Sequence, residues 1–152
     1  MPKPPPAGSP FWKLWEVGTR GNIALFRLTR GRLGSKMPGH GSPILLLHHV
    51  GARSGKRRVS PLIYVPDGDD LVIVASKGGL DRHPAWFHNL RAHPETEVEL
   101  PREGRRRVRA RVASDEERER LWPRAVEVYK PYAEYQTYTE RTIPLVVLER
   151  AG

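Results

Sequence analysis

The 152 residues suffice for one domain with its own core, and none is cysteine, which excludes a disulfide framework, a thiolate metal site and a cysteine nucleophile. The formal charge of +9 is uneven: residues 1–58 hold eleven Lys/Arg against one acid, Glu16, whereas residues 59–152 hold fifteen against sixteen. All of the excess is N-terminal, so that end is suited to meet something negative: a phosphate-bearing cofactor, a phospholipid surface or a nucleic acid.

Residues 1–10 (MPKPPPAGSP) are Pro-rich and read as disordered, with no apolar stretch of the secretory kind. No run approaches the ~20 apolar residues of a membrane span, so the expected location is the cytoplasm. Residues 11–36 read as an amphipathic segment of one or two short helices, with Phe11, Leu14 and Trp15 on one face and Gly18 and Gly21 weakening its continuity. Aromatic residues beside Lys13, Arg20 and Arg27 suit peripheral contact with the cytoplasmic face of a membrane, and equally suit closure over the rest of the fold. Residues 37–152 read as the main domain.

Ile44–Val50 and Val59–Val65 read as strands flanking the loop GARSGKRR, and Leu71–Ser76 as a third after the turn Pro66-Asp67-Gly68. Pro61 marks an edge or bulged position, where backbone groups remain open to a ligand. Pro84 suits the first position of a helix that ends near Ala92, before His93-Pro94. Thr96–Leu100 and Arg106–Val112 form a hairpin, with Val98, Leu100, Val108, Ala110 and Val112 inward. Glu97 and Glu99 then share the outer face with Arg107, Arg109 and Arg111, which explains the arginine run by cross-strand pairing. Ser114-x-x-Glu117 starts a helix that Pro123 bends or divides, and Ile143–Glu149 is a last strand. About six antiparallel strands with helices at the edges make an α+β barrel.

Two loops carry the chemistry. Gly51–Arg58 combines glycines, a serine and four cations, and Ser76-Lys77-Gly78-Gly79 precedes an aromatic helix; together they could hold a large anion. Tyr129, Tyr132 and Tyr135 recur every three residues and can share a face of a helix or 3₁₀ segment, as an aromatic stripe or as a pocket wall. His40, His48, His49, His83, His88 and His93 show no ligand spacing, so no metal is expected.

The blocks G-x-R-S-G-K-x-R-x-S-P-L (Gly51–Leu62), S-K-G-G (Ser76–Gly79), H-P-A-W-F-x-N-L-R-A-H-P (His83–Pro94), Y-x-x-Y-x-x-Y (Tyr129–Tyr135) and R-T-I-P (Arg141–Pro144) together resemble the deazaflavin-dependent nitroreductases. These are the coenzyme F420-dependent quinone reductases of actinobacteria. The resemblance implies a split antiparallel β-barrel of the FMN-binding split-barrel type with peripheral helices. It implies hydride transfer from reduced F420 to a quinone-like or nitro-substituted acceptor, without nucleic acid. F420 joins a flavin-like ring to a ribityl chain, a phosphate, a lactyl group and a polyglutamate tail. The matching positions assign Ala52, Arg53, Ser54, Lys56 and Arg58 to the anionic end. Val59, Ser60, Pro61, Leu62 and Ile63 go to the ring, with Val74, Ala75, Ser76 and Lys77 beside them. Ala85, Trp86, Phe87, His88 and Asn89 and then Tyr132 complete the cofactor contacts, and Ser76 and Tyr135 are the candidate hydrogen-bond or proton donors. His48 and His49 depart from the small hydroxyl residues expected there. An FMN- or haem-binding split barrel and a nucleic-acid-binding basic barrel remain the alternatives; the oligomeric state stays open.

Overall fold

Two different strand patterns build the sheet. In the computed structural model, which describes residues 10–29, 36 and 41–151, some strands are apolar without interruption and others alternate. β1 (Ile44–Val50), β3 (Asp70–Val74) and β6 (Leu145–Arg150) belong to the first kind over residues 44–47, 71–74 and 145–148, where both of their faces are covered. Leu71, Ile73, Val146 and Leu148 point into the barrel, while Val72, Val74, Leu145 and Val147 join a second apolar cluster with Leu121, Ala125, Tyr129 and Tyr132. β4 (Glu95–Leu100) and β5 (Gly104–Val112) alternate, with Val98, Leu100, Val108 and Ala110 buried and Arg105, Arg107, Arg109 and Arg111 outward, while Arg106 shares the inward parity and is mostly buried at the barrel end. With β2 (Arg57–Asp67) the six antiparallel strands close in the order β1-β2-β3-β6-β5-β4, β4 returning to β1.

Helix α2 (Ala85–Ala92) covers one end of the barrel and sends Trp86, Phe87 and Leu90 into the interior cluster. Each such burial stabilises the fold by roughly 1.5–3 kcal/mol. Helices α3 (Asp115–Val128) and α4 (Pro131–Thr137) cover the outer cluster. Ser114 starts α3 as expected: its hydroxyl accepts from the Glu117 N–H at 3.2 Å, and its own N–H donates to Glu117 Oε1 at 3.0 Å.

Several local expectations need correction. Helix α1 is one continuous helix, Phe11–Leu28, since each glycine costs only about 1 kcal/mol against alanine and does not forbid helical φ/ψ. Residues 1–9, 30–35 and 37–40, and with them most of the expected disordered N-terminus and the end of the 11–36 segment, lie outside the described residues. Pro123 sits inside α3 without dividing it, and Pro84 is the residue before α2 rather than its first. Val112 keeps the inward parity but is 47% exposed, because it ends β5 at the barrel rim.

β3 stops at Val74, so Ala75 and Ser76 leave the sheet. Glu99 does not pair with the β5 arginines: β4 runs beside β1 there, and its carboxylate meets His48 Nε2 at 2.7 Å and Arg27 of α1 at 2.9 Å. Arg105, Arg106, Arg109 and Arg111 do find carboxylates, on Glu97, Glu103, Glu95, and Glu117 with Glu149. Arg107 is exposed with no ion pair among the described residues, because its cross-strand neighbour Glu97 pairs with Arg105 instead; the rest of the run is a paired surface.

Candidate active site

The site is a place where two strands part. β2 and β3 pair only from Tyr64↔Ile73 to Asp67↔Asp70, whereas β2 continues beside β1 through Arg57↔Val50. Residues 57–63 of β2 therefore present an edge with no strand partner on the β3 side among the described residues. Pro61 lies in that stretch, where its missing N–H costs no ladder bond on the open side. Facing the edge is the loop that leaves β3: Ala75, Ser76 and the 3₁₀ turn Lys77–Gly79.

At the outer end of the edge is the Gly51–Lys56 loop. The Gly51 N–H donates to Lys56 O and the Gly55 N–H to Gly51 O, both at 2.9 Å, and Gly55 takes φ +67°. The Ala52 N–H donates to Asn89 Oδ1 at 2.9 Å, and Ser54 Oγ accepts from the Lys56 N–H at 3.2 Å. These bonds leave the N–H groups of Arg53 and Ser54 open to an external acceptor, among the described residues. Arg53, Lys56, Arg57 and Arg58 are all exposed, and none forms an ion pair with a described residue. Four of the five β5 arginines are by contrast engaged by carboxylates, Arg107 being the exception, so the loop cations are a cluster of charge left open to an anion.

The second loop is held from behind. Arg141 donates from Nε to Leu80 O at 2.8 Å, from Nη1 to Ala75 O at 3.1 Å and from Nη2 to Ser76 O at 2.8 Å; Nη1 also meets His83 Nδ1 at 3.1 Å. Burial pulls the Arg141 and Lys77 cations below their ordinary pKa values, and Arg82 and Arg141 add to the effect at Lys77. The sequence places Arg141 in a motif without giving it this task, because carbonyls of a loop about sixty residues away carry no sequence signal.

Lys77 is itself at φ +45°, and Gly79 at φ +81° lies directly against α4. A Cβ on Gly79 would stand 2.7 Å from Tyr135 O and 2.9 Å from Tyr138 Cδ2. Gly79→Ala is expected to cost about 2–3 kcal/mol, a drop in melting temperature of roughly 5–10 °C readable by calorimetry.

The other expected residues fall into two groups. Ala52, Arg53, Ser54, Lys56 and Arg58 are exposed on the first loop; Ser60, Pro61, Leu62 and Ile63 are half-buried on the open edge, and Ala85 and His88 are exposed on α2. Val74, Ala75, Trp86, Phe87 and Tyr132 are instead core side chains, available to a ligand only through their backbone or as the floor of a wall. Tyr129 Oη and Tyr135 Oη lie 3.2 Å apart, with the Tyr129 and Tyr132 rings edge to face at 4.9 Å. The chain turns at Tyr129 between α3 and α4, so the three tyrosines meet across a helix junction and not along one helix. Burial pushes the phenols of Tyr132 and Tyr135 up, and Tyr129 reinforces the shift at Tyr135 through a hydrogen bond. Both stay protonated at neutral pH.

Asn89 and His49, both buried, form a polar core beneath the first loop. Asn89 Nδ2 meets His49 Nδ1 at 2.9 Å, and His49 Nε2 meets Ser60 Oγ at 2.9 Å. Burial first, then the Arg58 and His48 charges, lower the His49 pKa from 6.5 to about 4. Between those values the unfolded chain takes up a proton that the folded chain refuses, so stability is full above about pH 6.5 and falls as pH drops. Allowing for solvent screening, the loss by about pH 5 is expected to reach about 1–2 kcal/mol. Urea unfolding near pH 7.5 and near pH 5 measures it, and His49→Gln should remove most of the difference.

Among the described residues no group of three His, Asp or Glu side chains comes together as a metal site, and no helix is long and apolar enough to cross a membrane. A family model described as F420H(2)-dependent quinone reductase matches residues 18–150. An F420H(2)-dependent quinone reductase of Mycobacterium tuberculosis is 42% identical over 129 residues, covering 84% of this chain and 86% of that protein. The solved structure of an F420-H2 dependent reductase, FDR-A, is 44% identical, covers 70% of this chain and 94% of its own, and superposes with a TM-score of 0.65. A pyridoxamine 5'-phosphate oxidase-like structure from Listeria innocua, 10% identical over 88% of this chain and 93% of its own with a TM-score of 0.51, shares the fold alone. With the family model spanning nearly the whole barrel and a relative of such identity over most of both chains, this protein belongs to the F420H(2)-dependent quinone reductase family.

Proposed function

We propose that the chain binds reduced F420 in the cleft between the open edge of β2 and the Ala75–Gly79 loop, and reduces a quinone there. One observation carries the reading: four exposed cations that form no ion pair with a described residue stand at the end of a strand edge that has no partner among the described residues, while four of the five β5 arginines, all but Arg107, are paired. This donor set fits an elongated ligand that is anionic at one end and flat at the other. Arg53, Lys56 and Arg58, with the N–H groups of Arg53 and Ser54, would hold phosphate and carboxylates. The backbone of Ser60–Ile63 would meet the polar rim of the ring, while Lys77 adds positive charge on the facing loop.

When bound, the deazaflavin supplies the hydride, which is chemistry no side chain here could provide. The chain's own part is positioning and exclusion of water. Tyr135, kept protonated by its surroundings, donates a hydrogen bond to an acceptor oxygen more readily than it gives up a proton, so water is the ultimate proton source. Ser76 is buried, its carbonyl tied to Arg141, which makes it a wall of the cleft before it is a donor. Nitro-substituted acceptors would present similar oxygens and belong to the same proposal. So does peripheral membrane contact through α1, where Leu25 and Leu28 are exposed beside the exposed Arg20 and Arg27.

Titration with F420 and FMN side by side, followed by cofactor fluorescence, tests the reading. Micromolar binding of F420 with FMN at least about a hundredfold weaker is expected, since FMN lacks the long anionic tail for the cationic loop. Tight FMN binding with none of F420 would overturn it.

A further inference from the structure

The polar core under the first loop has a direction. Asn89 Oδ1 accepts from the Ala52 N–H, which has no alternative role, so the amide is oriented and its Nδ2 must be the group that faces His49 Nδ1. An NH₂ group only donates; His49 Nδ1 is therefore the acceptor and carries no proton. The neutral imidazole then bears its single hydrogen on Nε2 and donates it to Ser60 Oγ. With that lone pair taken by an N–H, the hydroxyl proton of Ser60 has to be given elsewhere. Reversing any member sets two donors against each other at the next.

We propose that His49 is a positioning residue of the cofactor cleft: through a one-way chain from Ala52 to Ser60 it makes the Ser60 hydroxyl a committed hydrogen-bond donor toward a carbonyl-type acceptor on the bound ring. The ligand's identity in this statement rests on the F420 reading above; the polarity of the chain does not. The same four groups tie the start of the anion-binding loop to the ring platform, so a shift of Ala52 is felt at Ser60. His48 next door takes no part, since its Nε2 faces Glu99 on the neighbouring strand. The groups facing His49 are Asn89 from α2, Ser60 and Arg58 from β2, and His48 on its own strand.

Two measurements test this separately. Long-range proton–nitrogen NMR on the unliganded wild-type protein, near neutral pH, should show His49 with Nε2 protonated and Nδ1 bare; the opposite tautomer, or a charged ring, would refute the chain outright. F420 titration should then find His49→Phe and Ser60→Ala each weakened about tenfold and the double variant no weaker than either, because both remove the same donor. His49→Gln, whose amide can accept from Asn89 and donate to Ser60, should recover most of the affinity. Unchanged affinity in His49→Phe, or equal losses in His49→Gln and His49→Phe, would contradict the positioning role. Absence of F420 binding by the wild type would refute the cofactor reading and leave the tautomer to decide this one. Should His49→Phe fail to fold, the tautomer together with Ser60→Ala against His49→Gln still decides.

Discussion

Reversing the charges of the first loop, as Arg53→Glu, Lys56→Glu and Arg58→Glu together, should weaken F420 binding by about a hundredfold or more at low salt and leave the melting temperature nearly unchanged. The three side chains are exposed and form no ion pair with a described residue, so reversing them breaks none; Arg58 acts on His49 only through its charge. Surface substitutions of this kind stay within about 0.5 kcal/mol of neutral for stability. Each reversal exchanges an attraction for a repulsion toward the phosphate and carboxylates, about 1 kcal/mol apiece near a protein surface. The effect should shrink as salt rises, because these charges are open to screening. A control with two reversals against three, Arg105 and Arg109 on β5, which are paired with Glu97 and Glu95, should change affinity less than about twofold. Equal losses per charge reversed in the two sets would show that only net charge matters.

Arg141 should give the largest combined loss of stability and binding. Its guanidinium donates to three backbone carbonyls, of Ala75, Ser76 and Leu80, in directions that one planar fork can satisfy at once. Arg141→Gln leaves buried carbonyls unpaired and is expected to cost about 3 kcal/mol, given roughly 1.5–3 kcal/mol for each charged hydrogen bond and incomplete additivity. Arg141→Lys keeps the charge but not the fork, so it should recover little. Urea unfolding reads the stability, and titration reads a loss of F420 affinity of about tenfold or more, since a loosened loop must be ordered again on binding. Full rescue by lysine would mean that Arg141 acts by its charge and not by its geometry.

Much of this was legible in the chain, for stated physical reasons. Apolar runs marked the strands at the start and the end of the barrel domain, and the capping box of Ser114 and Glu117 is a local device that needs no tertiary context. The hairpin at 96–112 followed from period two. Its partners did not: Glu99 went to His48 and Arg27 because β4 closes the barrel against β1, a pairing across about fifty residues. Within the candidate site, the cationic loop and the Pro61 strand were visible as motifs. The parting of β2 from β3 was not, since it depends on where β3 stops. Asn89 read as a cofactor contact, and the structure adds a task no motif showed: its amide oxygen holds the Ala52 N–H and its amide N–H meets His49. His49 stood out only as a departure from expectation, and its meaning needed the three partners around it.

The most direct measurement mixes the wild-type protein anaerobically with F420H2 and a water-soluble quinone, and follows the return of the oxidised deazaflavin's visible absorbance. The cleft predicts enzyme-dependent recovery that saturates with F420H2 and falls at least about tenfold in the charge-reversed loop variant at subsaturating cofactor. No recovery with F420H2, beside turnover with reduced FMN, would contradict it.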